Sequence, residues 1–427
     1  LDGCLFSFNN LVFKNMEGHY TRQTKHGKCK ISIRILDTLF MNSDLVEVLV
    51  PIPLMERFSY LPPKNKGFPL KTGSRVLVPF GKRQLVGVIW GFGKQEVSDK
   101  RKYKHVTEVL DQSPLLDATS LSLAEWSSRY YHYPLGEIIQ YFYPPSLRKG
   151  KEAKFRESKY LELTSKGSFI SVDDLARAPS QQKLITLLKE KKEISLKSTQ
   201  AFGISSTAIN ALLEKGFISR FSRELSPYKK LENKKLKSSM ILNSEQNIAV
   251  EAIKKVQGKN KTFLLDGITG SGKTEVYLQA IQDIINQGKQ ALILIPEIGL
   301  APQAEERFRE YFGDRVMSFH SAKNEREKVD AWLGASRGLV DIIIGTRSSV
   351  FLPMKNLGII VVDEEHDLSF KQMDKFRYSA RDMALYRAKL QKIPVVLASA
   401  TPSLETLRNA HEDKYEVLKL NERATGA

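Results

Sequence analysis

The chain of 427 residues is 41% hydrophobic, enough for two to four cored domains, and it has no run of about 18 apolar residues that could cross a membrane as a helix. Its formal net charge of +18 suits a polyanionic partner. Two cysteines, Cys4 and Cys29, exclude a disulfide framework or a four-cysteine zinc site, and no basic stretch followed by an apolar core marks a secretory signal, so a cytoplasmic location is expected.

Residues 1–43 mix Asn, Lys, His and scattered aromatics without period. Met41-Asn42-Ser43-Asp44 then leads into the strand signal Leu45-Val46-Glu47-Val48-Leu49-Val50-Pro51. Met41 is therefore expected to lie near the natural start, with the first forty residues an upstream extension. Residues 45–147 read as a small β-rich domain. Arg75–Gly81 and Leu85–Gly91 are β-branched runs separated by hairpin chemistry, and a helix is expected over Ser120–Tyr131 before the Pro144-Pro145 stop. Residues 148–157 form a basic, apolar-poor linker.

Residues 158–226 change pattern. Helices are predicted at Gln181–Lys192, Ser195–Phe202 and Ser205–Lys215, followed by a strand from Gly216. Three helices and a β-ribbon describe a winged helix, which serves as a DNA reader in some proteins and a protein-docking module in others. A second basic linker covers 227–239. From 240 to 427 strand and helix alternate, with apolar strands at Thr262–Leu265, Ala291–Ile295, Asp341–Ile344, Ile359–Val362 and Val395–Ala398. Their near-continuous hydrophobicity predicts a parallel sheet covered on both faces.

The chemistry lies in this last part. Gly267-Ile268-Thr269-Gly270-Ser271-Gly272-Lys273-Thr274 fits the phosphate loop G-x-x-x-x-G-K-[ST], placed between a strand and a helix as that motif requires. Its glycines let backbone N–H groups close around phosphates at a helix N-terminus. Lys273 is expected to reach the β- and γ-phosphates of ATP, and Thr274 to hold Mg²⁺. Ile359–Val362 delivers Asp363-Glu364-Glu365-His366 to a strand's carboxyl end. Asp363 is assigned to Mg²⁺, Glu364 to the attacking water, and His366 to the link between the γ-phosphate region and whatever binds above it. Ser399 and Thr401, in Ser399-Ala400-Thr401-Pro402, can couple that cluster to an adjoining lobe. Gln246, upstream of the loop, is placed to read the adenine edge.

Two segments after strands, Ile295–Leu300 and Gly345–Ser349, offer amides, hydroxyls and Arg347 to a single-strand phosphate track. Phe370-Lys371-Gln372-Met373-Asp374-Lys375-Phe376-Arg377-Tyr378 interleaves rings and cations. Base stacking by Phe370, Phe376 and Tyr378, with phosphate contact by Lys371 and Arg377, is the functional expectation; loop packing is the alternative.

In this order these strings resemble superfamily 2 DNA helicases, and within them the primosomal protein N′ (PriA) family of replication restart. The strings are Gly270–Tyr277, Pro296–Leu300, Asp363–Asp367 and Arg377–Asp382, and the resemblance covers about 45–427. It implies a multidomain α/β protein: a small β-rich 3′-end DNA-binding domain, a winged helix and a RecA-like parallel α/β helicase lobe. It further implies ATP-driven 3′-to-5′ unwinding with Mg²⁺, forked and single-stranded DNA as partners, and contact with primosome and single-strand-binding proteins. The family's 3′-terminus pocket maps onto Phe58, Ser59, Gly81 and Lys104. Ser59 departs from the family's Asp, and a hydroxyl lacks the strength of a charge-assisted acceptor. The family continues into a second RecA-like lobe with a zinc module and ATP-site arginines. This chain stops at Ala427 and carries neither, so it is expected to be the N-terminal part of such a helicase, with little hydrolysis alone. The alternative is a fork-binding assembly module without catalysis.

Overall fold

The computed structural model describes residues 20–24, 27–31, 45–65, 67–94, 103–225, 241–256, 258–296 and 301–424. Most of 1–43, the segment 226–240 and the stretch Glu297–Leu300 lie outside them, and so does most of what was expected there. Within the first segment, Tyr20–Thr24 pairs antiparallel with Gly27–Ile31.

A five-stranded antiparallel sheet comes next, in the order Phe58–Tyr60, Leu45–Leu49, Arg83–Gly93, Arg75–Phe80, Glu108–Val109. Its tightest corner is the two-residue loop Gly81-Lys82, where Phe80 pairs with Arg83 and Gly81 has φ 59°. Glycine opening a two-residue hairpin loop matches the twist of the strands it joins. A helical annex follows. Its main helix, Ala118–Tyr131, is capped by Asp117, whose carboxylate accepts from Ser120 N at 2.8 Å, and it stops where His132 turns left-handed at φ 49°.

Arg75 fastens annex to sheet. It is fully buried and pairs with Asp111 at 2.7 Å. Its Nη1 donates to Leu147 O at 2.6 Å and Lys151 O at 2.9 Å. Losing one partner of such a buried pair costs about 3–5 kcal/mol.

The winged helix differs from its sequence reading at its start. Arg156–Leu163 is a strand that begins inside the segment read as a linker, and it pairs along its whole length with Ile218–Leu225. The predicted helix Ser195–Phe202 shrinks to Ser198–Ala201. Glu193–Ser195 joins the sheet, and Ser195 Oγ accepts from Ser198 N at 3.1 Å. Leu184, Ile185 and Leu188 of one helix meet Ile209 and Leu212 of another in a separate small core.

The last unit is a seven-stranded parallel sheet. Its order is Val316–Phe319, Ile342–Gly345, Gln290–Leu294, Leu357–Asp363, Val395–Ser399, Thr262–Gly267, Glu416–Leu420. The five predicted strands form its interior. The two added edge strands carry polar residues, Ser318 in one and Glu416 and Lys419 in the other, which hid them from a search for continuous apolar runs. All strands run the same way, so their carboxyl ends share one rim, where ligands of such sheets bind.

The annex and this sheet share a hydrophobic core. Leu123, Ile138 and Phe142 lie in one buried cluster with Trp332, Phe351 and Phe376. Trp126 stacks on Tyr386 at 4.0 Å, and Trp332 Nε1 donates to Phe142 O at 2.7 Å.

Candidate active site

The strand Thr262–Gly267 ends in the phosphate loop, and the helix Lys273–Asn286 begins at once. Gly270 and Gly272 have φ of 79° and 78°, left-handed values that only glycine adopts readily. A Cβ at Gly272 would come within 2.3 Å of the Gln246 amide. Lys273 is 9% exposed, and its ammonium donates to Gly267 O at 2.7 Å, so it lies folded along the loop it is meant to serve. Ser271 Oγ is buried with no hydrogen-bond partner, a donor held in reserve at the mouth of the loop. A cleft of ≈ 380 Å³ opens here, lined by the loop, Gln246, Arg307, Asp363 and Glu364. That volume falls in the usual range for small-ligand sites.

Gln246 is committed on both sides. Its Oε1 accepts from Asn243 N at 2.9 Å, closing a capping box, and its Nε2 donates to Ser271 O at 2.9 Å. It therefore props the loop, and turning to an adenine edge would break one of these bonds.

Leu357–Asp363 brings Asp363 to the rim, two strands away from the phosphate loop, with Val395–Ser399 between them. Burial, and then the neighbouring Glu364 carboxylate, push the Asp363 carboxyl up to about 6; the Tyr277 hydroxyl and Lys273 pull the other way. Glu364 sits at φ 48°, a left-handed value uncommon for a residue with a side chain. His366 Nδ1 lies 2.8 Å from Ser399 Oγ and 3.6 Å from Glu364. Ser399 Oγ also accepts from Thr401 N at 3.0 Å. The acidic strand end and the Ser-Ala-Thr segment thus form one bonded unit.

Sequence reasoning assigned no role to several residues that the structure draws into the site. Glu365 is buried and accepts from Arg381 Nη1 at 2.8 Å, Ser403 N at 2.7 Å and Thr406 Oγ1 at 2.9 Å. It pins two helix N-termini to the acidic motif. Arg307, from the helix Ala301–Phe312, lines the cleft and pairs with Glu275. Tyr277 reaches both Thr274 and Asp363. Its signal was available: Tyr277 stands three residues after Thr274 on a helix, so the two share a face.

The aromatic expectation is corrected. Phe370, Phe376 and Tyr378 are 2%, 0% and 2% exposed. Phe376 is walled in by Tyr131, Tyr133, Tyr141 and Tyr378, with centroids 5.0–5.6 Å away. These rings belong to the shared core and present no face to a base. The cations between them do face outward: Lys371 and Arg377 are exposed. Arg347 is engaged internally. Its Nε donates to Gln372 Oε1 at 2.7 Å and its Nη1 to Ser369 O at 3.0 Å, so it holds the loop after the acidic motif.

In the front domain, Phe58 packs edge-on to Phe80 at 5.3 Å, next to Gly81. Leu61 N donates to Lys104 O at 2.8 Å. Phe58 thus lies beside the Phe80-Gly81 corner and Lys104 beside Leu61, two residues beyond Ser59, with Gly81 and Lys104 exposed. Ser59 lies directly across from Glu47, which pairs with Arg57 at 3.4 Å.

Residues 47–144 match the PriA 3′DNA-binding domain, and residues 243–410 match the DEAD/DEAH box helicase domain. The chain belongs to the PriA family. It is 36% identical over 387 residues to the replication restart protein PriA of Haemophilus influenzae, covering 89% of this chain and 52% of that protein. Against PriA of Bacillus subtilis it is 32% identical over 435 residues, covering 86% and 54%. Against PriA of Chlamydia trachomatis it is 37% identical over 314 residues, covering 71% and 41%. The chain therefore spans about half the length of these relatives. A solved structure of RecG bound to a three-way DNA junction aligns at 26% identity over 44% of this chain and 25% of its own, with a TM-score of 0.34. Among the described residues no helix is long and apolar enough to cross a membrane.

Proposed function

We propose that the chain is the DNA-engaging and ATP-binding part of a replication-restart helicase that unwinds forked DNA 3′ to 5′. The carrying observation is the rim of the parallel sheet. There the phosphate loop and the acidic strand end meet around one cleft, the Ser-Ala-Thr segment is bonded to the acidic motif through His366, and the loop keeps an orphaned buried hydroxyl and a glycine where a side chain would collide with Gln246. Those features fit a nucleotide triphosphate. Lys273 and the loop amides would hold its phosphates, and Thr274 and Asp363 would hold Mg²⁺, which neutralises charge on the transferred group when bound. Glu364 is the base or water-orienting group, and the His366–Ser399 contact transmits its state to the neighbouring strand.

DNA contact is assigned to the front sheet around Phe58, Ser59, Gly81 and Lys104, and to the exposed cations Lys371 and Arg377. Arg347 acts by holding the loop that presents them. Single-strand-binding and primosome proteins are further partners by family.

The test is binding of a fluorescent ATP analogue by wild type and Lys273→Ala, with and without forked DNA. A loss of at least tenfold in affinity in the variant, with fork binding unchanged, supports the reading. Equal nucleotide affinity in both proteins overturns it and leaves a DNA-binding assembly module.

A further inference from the structure

The phenol of Tyr277 is within hydrogen-bond distance of both residues assigned to the metal. Its hydroxyl lies 3.1 Å from Asp363 Oδ2 and 3.3 Å from Thr274 Oγ1. The ring is fixed: Tyr277 is 2% exposed and stacks on Phe308 with centroids 6.1 Å apart at 15°. A tyrosine held this firmly has little freedom to choose partners, so its hydroxyl sets the orientation of what it touches.

A phenol has one proton and can accept others. The carboxylate is the stronger acceptor, so the proton goes to Asp363. The Thr274 hydroxyl then gives its own proton to the phenol oxygen, which turns its lone pairs away from Tyr277 and leaves them for a cation. Donation to Oδ2 likewise fixes which carboxylate oxygen the phenol occupies. One hydroxyl thereby fixes the rotor of one metal-holding group and the plane of the other, the task that outer partners perform for metal ligands in general.

We infer that Tyr277 is a positioning residue for Mg²⁺ in the nucleotide site, acting through Thr274 and Asp363 by the chain of hydrogen bonds Thr274 to Tyr277 to Asp363. This rests on the nucleotide reading above and adds to it a residue on the phosphate-loop helix that acts through two others.

The test is Tyr277→Phe, which removes the hydroxyl and keeps the stacking ring. Affinity for the fluorescent ATP analogue is titrated against Mg²⁺ in wild type, Tyr277→Phe and Lys273→Ala, and each protein's affinity is also read in EDTA. The expected result is a Mg²⁺ midpoint about tenfold higher in Tyr277→Phe, at the low end for loss of an outer partner. Its EDTA affinity and thermal midpoint should stay at wild-type values, which a merely structural role would not leave in place. A Mg²⁺ midpoint within twofold of wild type overturns the inference and leaves the nucleotide reading standing. Nucleotide affinity equal in wild type and Lys273→Ala overturns both.

Discussion

Asp363→Asn should stabilise the protein at neutral pH while it weakens the metal site. Burial holds the Asp363 carboxyl at about 6, against an ordinary 3.8. The folded protein therefore binds this proton more readily than the unfolded chain does. For a group shifted upward, the stabilising contribution is present below 3.8 and is lost as pH rises through about 6. At 1.36 kcal/mol per pH unit, that interval amounts to about 3 kcal/mol of destabilisation above pH 7. The carboxylate is partly open to the cleft, so this is a ceiling. Asparagine carries no charge to desolvate, and its amide oxygen can still accept from Tyr277. Urea unfolding in EDTA, followed by tryptophan fluorescence, should show Asp363→Asn more stable than wild type at pH 8 by up to about 3 kcal/mol, and the gap should shrink by more than half at pH 4.5. A variant less stable at pH 8, or a gap that ignores pH, would refute the account of Asp363 as a carboxylate penalised by burial.

Two further substitutions separate packing from recognition. Phe376→Ala should cost about 3–5 kcal/mol in urea unfolding, as for a large ring removed from a core; a stable variant with weakened single-strand binding would restore the stacking role instead. Ser59→Asp should raise the preference for an oligonucleotide with a free 3′-hydroxyl over one ending in phosphate by up to about tenfold, the worth of one charge-assisted bond. Glu47 directly across the strand opposes a second negative charge and holds the gain below that figure. Fluorescence anisotropy reads the preference, and an unchanged ratio removes Ser59 from the recognition surface.

The sheet interior was legible because its strands are buried on both faces, so Ile359–Val362 and Ala291–Ile295 read as unbroken apolar runs. The phosphate loop was legible because its geometry admits few residue types. Strand Arg156–Leu163 was not: its Arg, Glu and Lys residues are mostly exposed, and what makes it a strand is pairing with Ile218–Leu225 on one side and Glu193–Ser195 on the other. The sequence Phe370–Tyr378 misled for a different reason. Rings interleaved with cations describe a base-stacking surface and a buried loop with exposed charges equally well, and the deciding partners, Tyr131, Tyr133 and Tyr141, lie more than 200 residues away. The bonds of Glu365 to Arg381, Ser403 and Thr406, and of Tyr277 to Asp363, likewise join residues distant in sequence.

The core shared by the annex and the parallel sheet changes what counts as a module. By sequence, the boundary falls between the 3′DNA-binding match, which ends at residue 144, and the helicase match, which starts at 243. By packing, the annex residues Leu123, Ile138 and Phe142 lie in one buried core with Trp332, Phe351 and Phe376 from beyond the winged helix. The winged helix is spliced between them, and Arg156 pairs with Leu225, so this guest leaves the host beside the point where it entered. Where the two strands part, Glu224 pairs with Arg337 of the parallel-sheet unit at 2.7 Å, so the guest is tied to its host at that point. A gene cut at the conventional helicase boundary would strip Trp332, Phe351 and Tyr386 of their cover and leave a sticky half-protein.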